Sequence, residues 1–399
     1  MTSDLPAVEG GAPVRDEFLP FARPAIGQHE IDQVVETLRS GWLTLGPKTR
    51  SFEETVASYV GVEVAAAVNS CTAGLHLGMV VFGVGPGDEV VLPALNFAAA
   101  PNTVVHMGAR PVLVDVDPVT LNVTPEILEA AITERTKLLV PVHFGGRPCR
   151  IEEIMDLAGR RGIKVLGDGA HAIGADRDGR KVGAAADATS FSFYVTKGVT
   201  TGEGGMVTSP DPEVVRAVSA LTLHGMSNDA WKRYRERGPW YYEILAAGYK
   251  YNMNDIQAAL GLCQMARVDE FRTRRTEIAQ IYHREFDGLD ALTAPADFDG
   301  GCHAWHLYPV RIRTEMLTIS RDAFIRALTD EGIGVSVHFI PIHYHPFYRD
   351  LLDYREGDLP VTEEYFEHAV SLPIYPTMRD EDAHDVVGAV EKLIRYYAR

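Results

Sequence analysis

Three short segments join reactive side chains to small residues at places where the chain must turn. The first is Asn69-Ser70-Cys71-Thr72-Ala73-Gly74, between the apolar run Val64–Val68 and a helical pattern. Small residues and hydroxyls at a helix start leave backbone N–H groups free, and these act with the helix dipole to favour an anion. Simple capping by Ser70 or Thr72 fits the same residues. The second segment is Gly167-Asp168-Gly169-Ala170-His171, after Ile163–Leu166. A carboxylate flanked by glycines at a strand end reaches into a cleft, where it could hold a cationic ring nitrogen. A turn aspartate and a hydrogen-bonded core histidine are the simpler roles for Asp168 and His171. The third is Ser190-Phe191-Ser192-Phe193-Tyr194-Val195-Thr196-Lys197, followed by Thr201-Gly202-Glu203-Gly204-Gly205. A lysine held in a cleft loses part of its proton affinity and becomes a nucleophile toward carbonyls. Taken alone, a lysine is ordinarily a solvated surface charge.

Together the segments supply a phosphate cradle, a carboxylate for a ring nitrogen and an amine for a Schiff base. Pyridoxal 5′-phosphate requires that set. Other cofactors fit less well. Gly83-Val84-Gly85-Pro86-Gly87 precedes a strand instead of opening a helix, and Gly174 to Gly179 is followed by Arg180-Lys181 where a phosphate loop needs Lys-Ser/Thr. His338, His343 and His345 cluster without a cysteine or carboxylate at ligand spacing, so they read as loop or cleft histidines and no metal is expected.

The elements that must position these groups alternate along the chain. Strand-like runs at Val64–Val68, Glu89–Leu92, Pro111–Val116, Lys137–Val142, Ile163–Leu166, Thr189–Phe193 and Gly205–Thr208 are mostly separated by helical patterns. Apolar strands separated by helices predict an α/β fold, a mainly parallel sheet with helices on both faces. Ligands in such sheets bind beyond the carboxyl ends of the strands, where the three segments fall. A long helical stretch over Asp255–Phe286 closes this region. Beyond it Leu307–Ile312 and Val335–Phe339 read as strands, and Arg321–Glu331 and Asp380–Tyr397 as helices. The expected division is a large α/β domain over residues 1–260 with an N-terminal arm, then a linking helix and a small C-terminal α+β domain over residues 261–399.

The 399 residues carry a formal net charge of −17, which argues against a nucleic-acid or anionic-membrane surface. A few local cations or backbone amides could still hold a phosphate. The four cysteines, Cys71, Cys149, Cys263 and Cys302, are far apart, as expected for a reducing cytoplasm. Neither a signal peptide nor a run of apolar residues long enough to span a membrane is evident.

The run from Gly167-Asp168-Gly169-Ala170-His171 to Lys197 and Gly204-Gly205 resembles the core of the DegT/DnrJ/EryC1/StrS sugar aminotransferases. Similar segments extend over nearly the whole chain: Phe18-Leu19-Pro20-Phe21, Ser40-Gly41-Trp42-Leu43-Thr44, Gly87-Asp88-Glu89-Val90, Pro141-Val142-His143 and Ser371-Leu372-Pro373. The resemblance implies the fold-type I architecture, a homodimer with shared active sites, and these roles. Lys197 bears the cofactor, Asp168 pairs with its ring nitrogen, Phe97 stacks on the ring and His171 lies close to it. Cys71, Thr72 and Ser192 bind the phosphate, and Lys250 or Asn252 reaches the neighbouring subunit's phosphate. Thr44, Tyr194 and His338 are candidates for substrate contact. The chain departs from the family at Gly167 and Gly169, where Glu-Asp-Ala-Ala-His is usual. It departs again at Lys250 and Asn252, where Gly-Tyr-Asn-Tyr-Arg-Met is common, and at Arg147, where Gly-Gln-Pro is common.

The implied reaction moves an amino group from L-glutamate to a nucleotide-linked keto sugar. His303-Ala304-Trp305-His306-Leu307 and Gly248-Tyr249-Lys250-Tyr251-Asn252 are similar to enzymes making 4-amino-4-deoxy pentoses, which favours a UDP- or dTDP-linked 4-keto pentose. A 4-keto-6-deoxyhexose, an aminocyclitol or an amino-hydroxybenzoate precursor are the alternatives. A sugar 3-dehydratase of the same fold would carry histidine where Lys197 stands, and a non-catalytic nucleotide-sugar-binding regulator would leave the set of groups unexplained.

Overall fold

The computed structural model describes residues 5–226 and 242–399. Nine strands are formed in the first half: β1 (Ala65–Val68), β2 (Glu89–Pro93), β3 (Arg110–Val114), β4 (Thr136–Leu139), β5 (Lys164–Asp168), β6 (Asp176–Arg177), β7 (Arg180–Lys181), β8 (Ala188–Ser192) and β9 (Gly205–Thr208). Seven of them make one sheet in the order β1-β9-β8-β5-β4-β2-β3. β9 alone runs against the rest, pairing antiparallel with both β1 and β8. The remaining pairs are parallel. Strands β1, β2, β8 and β9 are buried at every residue, as strands covered on both faces are.

Because β1, β5 and β8 run the same way, their carboxyl ends share one edge. Strand β9 pairs with both β8 and β1, so the residues that follow β1 come close to those that follow β8 although they are far apart in the chain. The helix Cys71–Val81 starts directly after β1, with Ser70 as N-cap accepting from Ala73 N–H at 3.1 Å. It lies so close to the sheet that a Cβ on Gly74 would fall 2.3 Å from Ser190 Oγ.

The second half adds β10 (Leu292–Thr293), β11 (Gly301–Cys302), β12 (Tyr308–Ile312) and β13 (Ala369–Leu372). β10, β12 and β13 form an antiparallel sheet whose core includes Tyr308, Val310, Phe324, Val386 and Leu393. Strand β11 instead pairs with β6, which ties the second half to the first. The helical stretch over Asp255–Phe286 is two helices, Asp255–Met265 and Val268–Phe286, separated at Ala266-Arg267. The first begins with a capping box between Asn254 and Gln257.

One expected strand is absent. Val335–Phe339 makes only an isolated bridge between Ser336 and Ser371. Its last two residues instead line a cleft, and their rings face different neighbours. His338 stacks on Phe21 with centroids 5.3 Å apart, while Phe339 lies 5.9 Å from Phe97. No helix among the described residues is long and apolar enough to cross a membrane.

Candidate active site

A cavity of about 510 Å³ opens at the carboxyl edge of the sheet. Most of the residues singled out from the sequence line it: Cys71, Thr72, Phe97, Asp168, His171, Ser192, Tyr194, Lys197 and His338. Thr44, Lys250 and Asn252 do not.

Lys197 is delivered by a pinned loop. Strand β8 ends at Ser192, and Phe193 ties the neck of the loop by donating to Gly204 O and accepting from Thr201 N–H, each at 2.9 Å. Within the loop Lys197 N–H closes a turn onto Tyr194 O at 2.9 Å. The ammonium is taken out of water, and burial lowers its pKa to about 8, against the attraction of Cys71 and Asp168. That leaves a usable fraction of free amine near neutrality.

Asp168 ends β5 and is 5% exposed. Its backbone is fixed on both sides, donating to Pro141 O at 2.8 Å and accepting from His143 N–H at 3.1 Å. Oδ1 accepts from Ala170 N–H at 3.0 Å. No hydrogen bond to Oδ2 is found among the described residues, and burial raises the carboxyl pKa above its ordinary value. A cationic N–H inside the cavity would answer both. The flanking glycines have a steric reason. A Cβ on Gly169 would come within 2.9 Å of Thr189 and 3.0 Å of Phe191, and one on Gly167 within 3.0 Å of Thr189 Oγ1.

His171 Nδ1 accepts from Gly145 N–H at 3.3 Å, and burial holds its pKa well below the ordinary histidine value. The neutral ring therefore carries its proton on Nε2. Its plane lies 23° from that of Phe339, with centroids 6.0 Å apart. Phe97 is 63% exposed at the cavity wall, a large apolar ring left without cover.

The first segment works differently from its side-chain reading. Cys71 Sγ points inward and donates to Ser190 Oγ at 3.4 Å, and burial pushes the thiol pKa up. Its backbone N–H at the first helical turn remains, beside that of Thr72. Strand β9 passes directly beneath: a Cβ on Gly205 would meet Cys71 N at 2.7 Å. Ser192 Oγ accepts from Tyr194 N–H at 3.3 Å and keeps its own proton to donate. The donor set is one of neutral hydroxyls and backbone amides at a helix start, suited to a phosphate dianion.

Lys250 and Asn252 bond to each other through Nζ and Oδ1. Their segment is anchored beside β1, where Asn69 N–H donates to Tyr251 O at 2.7 Å, and Lys250 is exposed. Thr44 is also exposed; its carbonyl accepts from Asp255 N–H at 3.1 Å. None of the three touches the cavity of its own chain.

Residues 24–391 match the DegT/DnrJ/EryC1/StrS aminotransferase family. The chain belongs to that family. It is 48% identical over 382 residues to the spore coat polysaccharide biosynthesis protein SpsC of Bacillus subtilis, covering 96% of this chain and 98% of that protein. Among solved structures, Spr1654 from Streptococcus pneumoniae, a proposed sugar aminotransferase, superposes with a TM-score of 0.87 at 33% identity, covering 95% of this chain and 98% of the other. That protein has been solved in pyridoxal-phosphate and pyridoxamine-phosphate forms. DesI, solved in the presence of its TDP-sugar product, superposes with a TM-score of 0.87 at 31% identity, covering 99% of this chain and 97% of the other. The chain is thus a pyridoxal-phosphate-dependent sugar aminotransferase of fold-type I. The unanswered Asp168 carboxylate, the partly neutral lysine and the amide cradle fit that cofactor.

Sequence reasoning missed Asn96, His306 and Phe339, which also line the cavity. Asn96 Oδ1 accepts from Phe97 N–H at 2.7 Å, and its buried Nδ2 has no partner. Of the clustered histidines, His343 is structural: its Nε2 pairs with Glu363 at 2.9 Å inside the protein. Among the described residues no three His, Cys, Asp or Glu side chains are grouped to hold a metal ion.

Proposed function

We propose that this aminotransferase moves an amino group from L-glutamate to a nucleotide-linked keto sugar, a UDP- or dTDP-linked 4-keto pentose first, in the cytoplasm. The observation that carries the reading is the convergence of Lys197, Asp168 and the Cys71–Thr72 amides on one cavity. The TDP-sugar found with DesI supports a nucleotide sugar as the acceptor. Bound pyridoxal phosphate supplies an aldehyde that links to amines and a ring that accepts the electron pair left when the adjacent C–H bond breaks. The chain's residues do the rest. Lys197 Nζ would hold the cofactor and, as a free amine, would act as the base and acid that moves the proton. Asp168 holds the ring nitrogen protonated, Phe97 covers the ring, and Thr72, Ser192 and the Cys71 amide take the phosphate. Tyr194 and His338 contact the sugar from the cavity wall, and Thr44 does so from the partner subunit.

The substrate is tested by incubating the purified protein with L-glutamate and a panel of nucleotide-linked 4-keto pentoses and 4-keto-6-deoxyhexoses. The expected result is 2-oxoglutarate and aminated sugar in equal amounts, with the pentose giving the highest kcat/KM. Preference for a hexose would overturn the pentose assignment. Conversion of cyclitol or benzoate precursors alone would overturn the nucleotide sugar, and binding without conversion would indicate a regulator.

The exposed Lys250 and the half-buried Asn252 bonded to it support a homodimer with shared sites. The cofactor phosphate carries close to two negative charges, and one helix N-terminus offers only a partial positive charge. A cation or amide from a second copy would complete the cradle, linking cofactor binding to dimerisation. Mixed dimers test this. Chains with Lys197→Ala are combined with chains carrying Lys250→Ala and Asn252→Ala together. One site of each mixed dimer then inherits both defects and the other neither, so activity is expected to return to about half per mixed dimer. No recovery after demonstrated subunit exchange would place Lys250 and Asn252 outside any shared site.

A further inference from the structure

Lys197 Nζ lies 3.3 Å from Nε2 of His306, 109 positions further along the chain. His306 is 7% exposed, and its other ring nitrogen, Nδ1, is buried with no hydrogen-bond partner. The chain around it is built to hold that ring in place. Ala304 N–H donates to Gly146 O at 3.0 Å and Leu307 N–H to Gly145 O at 3.1 Å. Between them Trp305 takes φ +46°, a left-handed conformation that a bulky residue keeps only when its surroundings enforce it. The buried guanidinium of Arg275 donates to the carbonyls of Trp305, at 3.2 Å, and Ile374.

The glycine pair that clamps this segment also serves His171. Gly145 N–H bonds to His171 Nδ1, and the His171 and His306 ring centroids are 4.4 Å apart. Gly146 has φ +98°, and a Cβ there would fall 2.9 Å from both Ala304 Cβ and His171 O. One turn therefore sets the ring beside the cofactor pocket and the ring beside the lysine.

We propose that His306 is a positioning residue for the Lys197 amine, accepting a hydrogen bond from Nζ at Nε2 and holding the amine aimed into the cavity. The inference rests on the reading of Lys197 as the cofactor-bearing residue. The lysine needs such a holder when its amine has been displaced and must later return to the same carbon. Accepting at Nε2 places the ring proton on Nδ1, the atom without a partner. The ring is thus oriented toward the lysine at the expense of its own second nitrogen. His306 is available as an acceptor because it is neutral: burial, with the charge of Lys197 adding to it, keeps its pKa well below the ordinary value. The other groups that bear on Lys197 are Cys71, Asp168, Arg275, His171 and His338.

The test reads the amine itself. Full-length protein freed of cofactor is labelled with trace acetic anhydride across a pH series, and acetylation of Lys197 is quantified by mass mapping. His306→Phe keeps the volume and removes the acceptor, so the ammonium loses a hydrogen bond and its midpoint is expected to fall by about one pH unit. His306→Gln keeps an acceptor, and its midpoint should stay within about 0.3 units of the wild type. With cofactor and substrates, His306→Phe should lower kcat about tenfold with little change in KM, and His306→Gln should recover most of the loss. His306→Leu, also without an acceptor, must shift with His306→Phe and takes its place if that variant does not fold. Coincident midpoints for wild type and the acceptor-free variants, or equal shifts in Gln and Phe, would overturn the proposal. Labelling is read without cofactor, so its failure is separate from any failure of Lys197 to carry one.

Discussion

Replacing Lys197 with alanine is expected to lower turnover by more than about 10⁴-fold, equivalent to about 5.4 kcal/mol of barrier, without unfolding the protein. The loss is large because one amine has two duties: it holds the cofactor and it moves the proton. Among the described residues no other lysine lines the cavity to replace it. The fold should survive because the loop around it is held by its backbone, through Phe193, Gly204 and Thr201. Removing a cation that burial disfavours also relieves a cost. Steady-state rates and a thermal melt on the same preparation check both halves. Residual turnover within about tenfold of wild type would remove Lys197 from the chemistry.

The second large effect is expected at Asp168→Asn. An amide cannot balance a positive ring nitrogen, so turnover should fall by about 10²–10⁴-fold, at about 1.4 kcal/mol per factor of ten, while the cofactor still binds. Near-native turnover with cofactor bound would refute the role. Asp168 also makes a pH prediction for the cofactor-free protein. Burial raises its folded-state pKa above the unfolded value. Between those two values the folded state holds the proton more tightly, so the wild-type carboxyl destabilises the fold as pH rises. Asparagine does not titrate. The melting temperature of Asp168→Asn minus that of wild type should therefore be small below about pH 4 and grow as pH rises. A difference independent of pH would show that the carboxyl is not held above its ordinary range.

Local pattern carried most of the sheet and half of the site. Asp168 and Lys197 were legible because one ends a buried strand and the other lies in the loop beyond the carboxyl end of a buried strand, where position along the chain translates into position in the cleft. The helix start at Cys71 was legible from its small residues. The chemistry of Cys71 was not, because its thiol turns to Ser190, a partner 119 positions away. His306 was hidden for the same reason. It stands just before β12 and just before the strand-like run Leu307–Ile312, and only the packing of one half of the chain on the other brings it to Lys197. Val335–Phe339 failed in the opposite sense. Its alternation mimics a strand, yet His338 Nδ1 bonds to Ser371 Oγ at 2.9 Å and Phe339 packs beside His171. Its last two side chains belong to the cleft and not to a sheet.

The pyridoxal-phosphate attachment at Lys197 is tested most directly by trapping. The loaded protein is reduced with borohydride, digested and mapped by mass. The account predicts a single reduced cofactor adduct, on the peptide containing Lys197, and its loss in Lys197→Ala. An adduct on any other lysine, or a wild-type protein whose cofactor borohydride does not fix, would contradict it.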